Sequence, residues 1–232
     1  MGVASREARD PSAPLLEASN LYRFFHAGDD EVLALRGVSI SVSPGEMVAV
    51  AGPSGSGKST LLACLAGLDE PDGGHVEVAG RRITRRPEAE RAALRARWIG
   101  VLLQAGNLID HLDMAANVRL ARGLTDGAAG GEPEELLSSV GLRHKLGAAP
   151  SRLSGGEAAR AGLAVALAND PAVILADEPT AEVDAASEGA VLELLRGRAR
   201  LGAAVVVVTH STRVAEASDR VVRLVDGRVV DE

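Results

Sequence analysis

The chain has 232 residues, 46% hydrophobic and 25% charged, which is enough apolar material for one sizeable core in a single compact domain. A formal net charge of -7 argues against a surface built to bind a phosphate backbone, so no nucleic-acid partner is expected. The lone cysteine, Cys64, excludes a disulfide scaffold, and its apolar surroundings from Leu61 to Ala66 mark it as a small buried hydrophobe.

The opening stretch, Met1 to Pro14, is polar, carries Pro11 and Pro14, and has no apolar run that could serve as a signal peptide. It is expected to be a flexible tail ahead of a domain covering 15–232. Beyond it, short runs of Val, Ile and Leu alternate with helical segments, the pattern of a mainly parallel sheet covered by helices. Strands are predicted at 38–42, 47–51, 76–78, 99–103, 173–176, 205–208, 221–224 and 228–230. The turn signals Ser43-Pro44-Gly45 and Asp72-Gly73-Gly74 separate the early strands and predict antiparallel hairpins, hence a small antiparallel layer beside the parallel core. Helices are predicted after Gly57, over 88–97, and from near Gly155, Ala186 and Thr212. Between Gln104 and Arg152 strand signals vanish and glycine-rich breaks at 123–131 and 147–150 interrupt short helices, which predicts an all-helical insertion over about 104–165. No apolar run reaches the roughly 18 to 20 residues of a membrane-spanning helix.

The strongest chemical signal is Gly52-Pro53-Ser54-Gly55-Ser56-Gly57-Lys58-Ser59-Thr60, set directly between the apolar strand 47–51 and an apolar helix. It fits the P-loop pattern in the strand-loop-helix context that the pattern requires. Glycines let successive backbone N–H groups converge on phosphate oxygens, and the following helix presents its positive end to them. Lys58 is placed to reach the outer phosphates and Ser59 to ligate magnesium. The second signal is the apolar strand 173–176 running into Asp177 and Glu178. An acidic pair after a strand is by itself ordinary loop solvation. Beside a P-loop it is the other half of a nucleotide-hydrolysing site, with Asp177 suited to the magnesium shell and Glu178 to the attacking water.

Between the two lies Leu153-Ser154-Gly155-Gly156-Glu157, a second glycine-rich turn at a helix start. Alone it reads as an N-cap at Ser154. In this order after a P-loop and before an acidic strand end, the chain resembles the ATP-binding cassette (ABC) family from about Leu15 to the C-terminus. The resemblance implies a P-loop NTPase fold with a RecA-like parallel-sheet core, an antiparallel β layer and an inserted α-helical subdomain. By the same resemblance Gln104 contacts the metal and the attacking water, His210 touches the terminal phosphate, and Phe25 stacks on adenine, with Tyr22 and Phe24 as alternates. Asp184 matches the acidic end of a loop that crosses a dimer interface.

The family arrangement further implies a head-to-tail dimer, a homodimer or a pair with a related chain, in which Ser154, Gly155 and Gly156 of one chain cover the P-loop of the other. The bound species are then ATP and magnesium. The implied partner is a separately encoded integral membrane permease that holds the chain at the cytoplasmic face of the membrane. Within the family, the P-loop run, Gly67-Leu68-Asp69 and Leu175-Ala176-Asp177-Glu178-Pro179-Thr180 are similar to the lipoprotein-releasing, macrolide-exporting and cell-division ATPases. Two other classes stand beside this reading: a slow nucleotide switch controlling a membrane-bound hydrolase, and a soluble ABC protein without a transport role.

The sequence departs from the family pattern in places. Ala158 and Ala159 stand where polar residues are common, Val165 where a basic one is frequent, and Glu182 adds charge near the expected triphosphate. A cluster of arginines at 81, 82, 85, 86, 91, 95 and 97 is interleaved with Glu88 and Glu90 at helical spacing, which predicts a solvated, ion-paired face. Trp98 is expected in the core. His26, His75, His111 and His144 lack metal-ligand spacing.

Overall fold

The structure, a computed structural model, describes residues 13–27, 30–125, 130–181 and 183–231. The expected tail therefore lies almost wholly outside the described residues, as does Glu182.

Two sheets form. The parallel one contains β3 (Met47–Ala51), β6 (Ile99–Leu102), β7 (Val173–Asp177), β8 (Ala204–Val208), β9 (Arg220–Val225) and β10 (Arg228–Asp231), in the order β10-β9-β3-β8-β7-β6. Only the β9–β10 hairpin is antiparallel. β3 and β8 sit centrally and are apolar almost throughout, because helices cover both faces of such a sheet. The second sheet, β2-β1-β4-β5, is antiparallel and comprises β1 (Leu16–Ala27), β2 (Asp30–Val42), β4 (Gly73–Val78) and β5 (Arg81–Arg82).

One helix joins the two sheets. α1 (Lys58–Leu65) buries Leu61, Leu62, Cys64 and Leu65 in a cluster with Leu16, Leu21, Val76 and Val78 of the antiparallel sheet and Val48, Val50, Leu175 and Val206 of the parallel one. On the far side of the parallel sheet, α5 (Gly155–Ala166) and α6 (Ala185–Arg200) pack Leu163, Val191 and Leu195 against Ile174, Ala176, Val205 and Val207. α3 (Met114–Arg122) and α4 (Pro133–Ser139) form a third cluster with α5 through Met114, Val118, Leu137 and Ala164. Asn117 is buried within it, accepting from the Ile109 amide and donating to the Ile109, Leu112 and Asp113 carbonyls. The loop after β6 is thereby fixed on a helical support, with no strand among the described residues of 104–165.

Several expectations need correcting. Ser43-Pro44-Gly45 does not close a hairpin: it carries the chain from β2 in one sheet to β3 in the other. Asp72-Gly73-Gly74 likewise opens β4, whose antiparallel partners are β1 and β5 rather than the strand before it. β1 and β5 were not expected, and β2 begins well before position 38. The arginine cluster behaves as expected. β5 leaves Arg81 and Arg82 exposed on the sheet edge, where charge blocks further strand pairing. On α2 (Glu88–Trp98), Arg91 pairs with Glu70 and Glu88, Arg95 with Glu88, and Arg86 with Glu90. Trp98 is half-buried against the main core.

Candidate functional site

The P-loop turns between β3 and α1 under tight constraint. Gly57 has φ 100, and a Cβ there would lie 2.4 Å from the Ala34 carbonyl oxygen of β2, so only glycine fits. α1 has no side-chain N-cap, which leaves its first amides open to an anion. Lys58 is buried, and its ammonium donates to the carbonyls of Gly52 and Pro53, each at 2.9 Å, curling over the loop it belongs to. From the C-terminal hairpin, the Gly227 amide donates to the Ser56 carbonyl at 3.0 Å and braces the loop from outside.

At the end of β7 the backbone of Glu178 turns left-handed, with φ 45, while its amide still donates to Val208 at 2.9 Å. That conformation is costly for a residue with a Cβ and re-aims the carboxylate out of the sheet. Glu178 Oε2 accepts from the His210 amide at 3.2 Å, and Oε1 lies 3.3 Å from His210 Nε2. Oε1 is buried and makes no hydrogen bond, and the imidazole lies beside it. Ser211, next to the histidine, donates its hydroxyl to Glu188 at 2.8 Å, and Arg213 pairs with the same carboxylate at 2.9 Å.

A cleft of about 590 Å³ is lined by Ser54, Gly55, Lys58, Ser59, Gln104, Asp177, Glu178 and His210, together with Thr180 and Ser211. The C-terminal ends of β3, β6, β7 and β8 thus bring together residues far apart in the chain, at the edge where parallel sheets hold ligands. The donor set suits magnesium. Ser59 supplies a hydroxyl, Gln104 an amide oxygen and Asp177 a carboxylate, all hard oxygens, while no cluster of three or more His, Cys, Asp or Glu occurs among the described residues. A metal held here fits only if phosphate and water complete its shell.

An adjoining cleft of about 450 Å³ shares Gly55, Lys58 and Ser59 and adds Thr60, Gly57, Phe25, Val32, Asp226 and Gly227. Phe25 is 40% exposed there. Tyr22 instead lies against Gly37 and Gly73, and neither it nor Phe24 lines the cleft. Val32, Asp226 and Gly227 were not anticipated; an Asp-Gly hairpin turn carries no local sign that it will touch a loop distant in sequence.

Ser154, Gly156 and Asp184 are not brought to these clefts. Ser154 caps α5 in a reciprocal box with Glu157, whose carboxyl the Ser154 amide and Lys145 hold below its usual range. Gly155 lines a neighbouring cavity of about 410 Å³ with Gln104, Ala158, Ala159 and Glu178. Gly156 packs against α6, where a Cβ would lie 2.4 Å from Ser187 Oγ. Asp184 is the N-cap of α6, accepting from the amides of Ala186 and Ser187 at 3.0 Å; the Ser187 amide holds its carboxyl below the usual range. Within one chain, then, the second glycine-rich turn does not line the P-loop clefts, although Gly155 borders a cavity that shares Gln104 and Glu178 with one of them.

The architecture and the phosphate loop are those of an α/β P-loop ATPase. The family profile described as ABC transporter matches residues 35–181, and the chain belongs to that family. It is an ABC-type ATPase subunit of the group that contains LolD and MacB. It is 42% identical to the lipoprotein-releasing system ATP-binding protein LolD of Ruegeria pomeroyi, over 95% of this chain and 99% of that protein. It is 40% identical to the macrolide export ATP-binding/permease protein MacB of Chlorobium luteolum, covering 96% of this chain but only 34% of MacB, so it spans about a third of that relative. Among solved structures, the dimeric post-hydrolysis state of the ATP-binding cassette MJ0796 bound to ADP and Pi matches with a TM-score of 0.87 and 34% identity, over 93% of this chain and 97% of that one.

Proposed function

We propose that this chain hydrolyses Mg-ATP between two head-to-tail copies and transmits the closing of that pair to a separately encoded membrane protein. The observation that carries the reading is the convergence of Lys58, Gln104, Asp177, Glu178 and His210 in one cleft. The triphosphate is cradled by backbone amides of the loop between β3 and α1 and of the first turn of α1, and Lys58 exchanges the Gly52 and Pro53 carbonyls for the outer phosphates. Glu178, anchored through one oxygen by the His210 amide, turns Oε1 from its place beside the His210 ring to orient water and take its proton. The His210 ring beside it holds the terminal phosphate. Ser59, Asp177 and Gln104 would hold magnesium, which would neutralise charge at the phosphates. Phe25 stacks on the base.

Ser154, Gly155, Gly156 and Asp184 do not line the P-loop clefts of their own chain, and in this reading they complete the clefts of a second copy. The dimeric assembly of the ADP- and Pi-bound cassette, which this chain resembles over nearly its full length, supports that arrangement. ATP then favours the closed pair by contacts that hydrolysis removes, and this differential affinity is what moves an attached protein.

The domain covers 15–232 with a helical arm at about 104–165 that docks the membrane partner. A groove of about 610 Å³ along α2, α3 and α5, with Leu68, Leu103 and Leu124 exposed on it, supports that docking. No helix among the described residues is long and apolar enough to cross a membrane; in this reading the partner supplies the spans and the chain sits peripherally on them. The cargo is of the lipoprotein, peptide or drug-like kind; the relatives named for lipoprotein release and macrolide export support the first and the last of these.

The cavity beside Ala158 and Ala159, two residues that depart from the family pattern, favours a second reading, a slow nucleotide switch without significant turnover that controls a membrane-bound hydrolase. ATP hydrolysis measured with and without the co-purified membrane subunit separates the two. Transport-coupled turnover appears as steady hydrolysis stimulated by the subunit, whereas nucleotide binding without hydrolysis in either state contradicts the motor reading.

A further inference from the structure

Arg23 lies on β1 with its guanidinium 4.7 Å from the centroid of the Phe25 ring. Its fork is fully committed. Nε and Nη2 donate to Asp69 Oδ2 and Oδ1 at 2.8 and 2.9 Å, a bidentate pair, and Nη1 donates to Asp72 at 3.1 Å. The same Asp72 oxygen accepts the Phe24 amide at 2.8 Å, while the Asp72 amide donates to the Tyr22 carbonyl at 2.9 Å. Asp69 follows α1 directly, its amide bonded to the Ala63 carbonyl at 3.1 Å. Since α1 begins at Lys58, one short helix links the phosphate loop to the carboxylates that hold Arg23.

We infer that Arg23 is a positioning residue for the nucleotide base: clamped by Asp69 and Asp72, it backs one face of Phe25 and leaves the other to the cleft beside the P-loop. This rests on the reading of Phe25 as the base platform. The lining supports the sidedness, because Phe25 borders the cleft and Arg23 does not. A cation behind the ring draws electron density from its open face, which suits stacking against an electron-rich purine. Tying the clamp to the end of α1 also fixes the span from ring to phosphate loop. A ligand carrying both base and triphosphate gains from that span, and a bare triphosphate does not.

The test compares binding of Mg-ATP and of magnesium tripolyphosphate to the full chain. Arg23→Met keeps the stem and removes the charge. It should weaken ATP binding about three- to tenfold while leaving tripolyphosphate within about twofold. In hydrolysis it should raise KM with little change in kcat. Arg23→Lys, which retains a cation without the bidentate fork, should fall between the two. Phe25→Ala should also weaken ATP alone, and adding Arg23→Met to it should cost nothing more. If Phe25→Ala is selective for ATP but Arg23→Met weakens both ligands equally or neither, the inference is overturned and the base platform stands. If Phe25→Ala weakens neither ligand, the platform reading falls and the inference with it. Should Arg23→Met not fold, Asp69→Asn loosens the clamp from the other side and is read by the same criteria.

Discussion

Glu178 and His210 face each other at the edge of the parallel sheet, carboxylate oxygen to ring nitrogen at 3.3 Å, with the histidine amide bonded to the other oxygen. The glutamate is 14% exposed and the histidine 52%, so the base is sheltered while its neighbour meets solvent. The pair is assembled from two strand ends, β7 and β8, and depends on the left-handed backbone of Glu178.

If Glu178 takes the proton of the attacking water, Glu178→Gln keeps the shape and removes the basicity. Turnover should fall by on the order of 10² to 10⁴ while ATP affinity is retained. Single-turnover hydrolysis alongside equilibrium binding reads both quantities, and near-normal turnover would refute the assignment.

Gly57 cannot accept a side chain without moving β2. Gly57→Ala adds a Cβ 2.4 Å from the Ala34 carbonyl at φ 100. The left-handed backbone alone costs about 1 to 2 kcal/mol. A lower midpoint in urea and weakened ATP binding are expected together, whereas the control Gly197→Ala, a helical position with open space around its Cβ, should leave ATP binding unchanged and raise the midpoint, since alanine stabilises a helix interior by about 0.5 to 1 kcal/mol over glycine.

Glu188 on α6 holds the segment that carries His210, through Ser211 and Arg213. Glu188→Ala frees that segment without touching the cleft. Its kcat should drop between about three- and a hundredfold, with KM little altered, since a loosened group loses orientation before it loses binding. Equal losses in both constants would point to damage elsewhere.

Cys64 offers a dependence on pH. Burial, aided by the charge of Asp69, pushes its thiol up to about 12, so the folded state favours the protonated form. Its contribution to stability is therefore complete below the unfolded thiol value of about 8.5 and is lost as pH climbs from there toward 12, at about 1.4 kcal/mol per unit. Unfolding free energies of the wild type and Cys64→Ala should converge as pH is raised from 8.5 to 10.5 (roughly two units of that slope). A gap that stays constant would show that the thiol titrates normally. The native thiol should also resist alkylation at neutral pH.

The parallel core was legible because its strands are buried on both faces and write themselves as unbroken Val, Ile and Leu runs, as β3, β7 and β8 do. β1 was not, because its pairing with β2 shifts register after Ala18 and Leu21 and again between Arg23 and Phe24, which breaks the two-residue alternation that marks a strand. A local turn such as Ser43-Pro44-Gly45 states that the chain reverses but not which sheet receives it. The phosphate loop, the Asp177-Glu178 pair and His210 could be read from motif and order. The left-handed turn of Glu178, the Glu188 brace and the clamp on Arg23 could not, since each depends on contacts between segments many residues apart.

In the proposed function two copies share the nucleotide, each closing the other's cleft with Ser154 and Gly156. Sedimentation of Glu178→Gln with and without saturating Mg-ATP tests it directly. A monomer is expected without nucleotide and a dimer with it, and Ser154→Arg should abolish that dimer. A blocked chain that stays monomeric at saturating Mg-ATP, with its membrane partner present as well as absent, would contradict it.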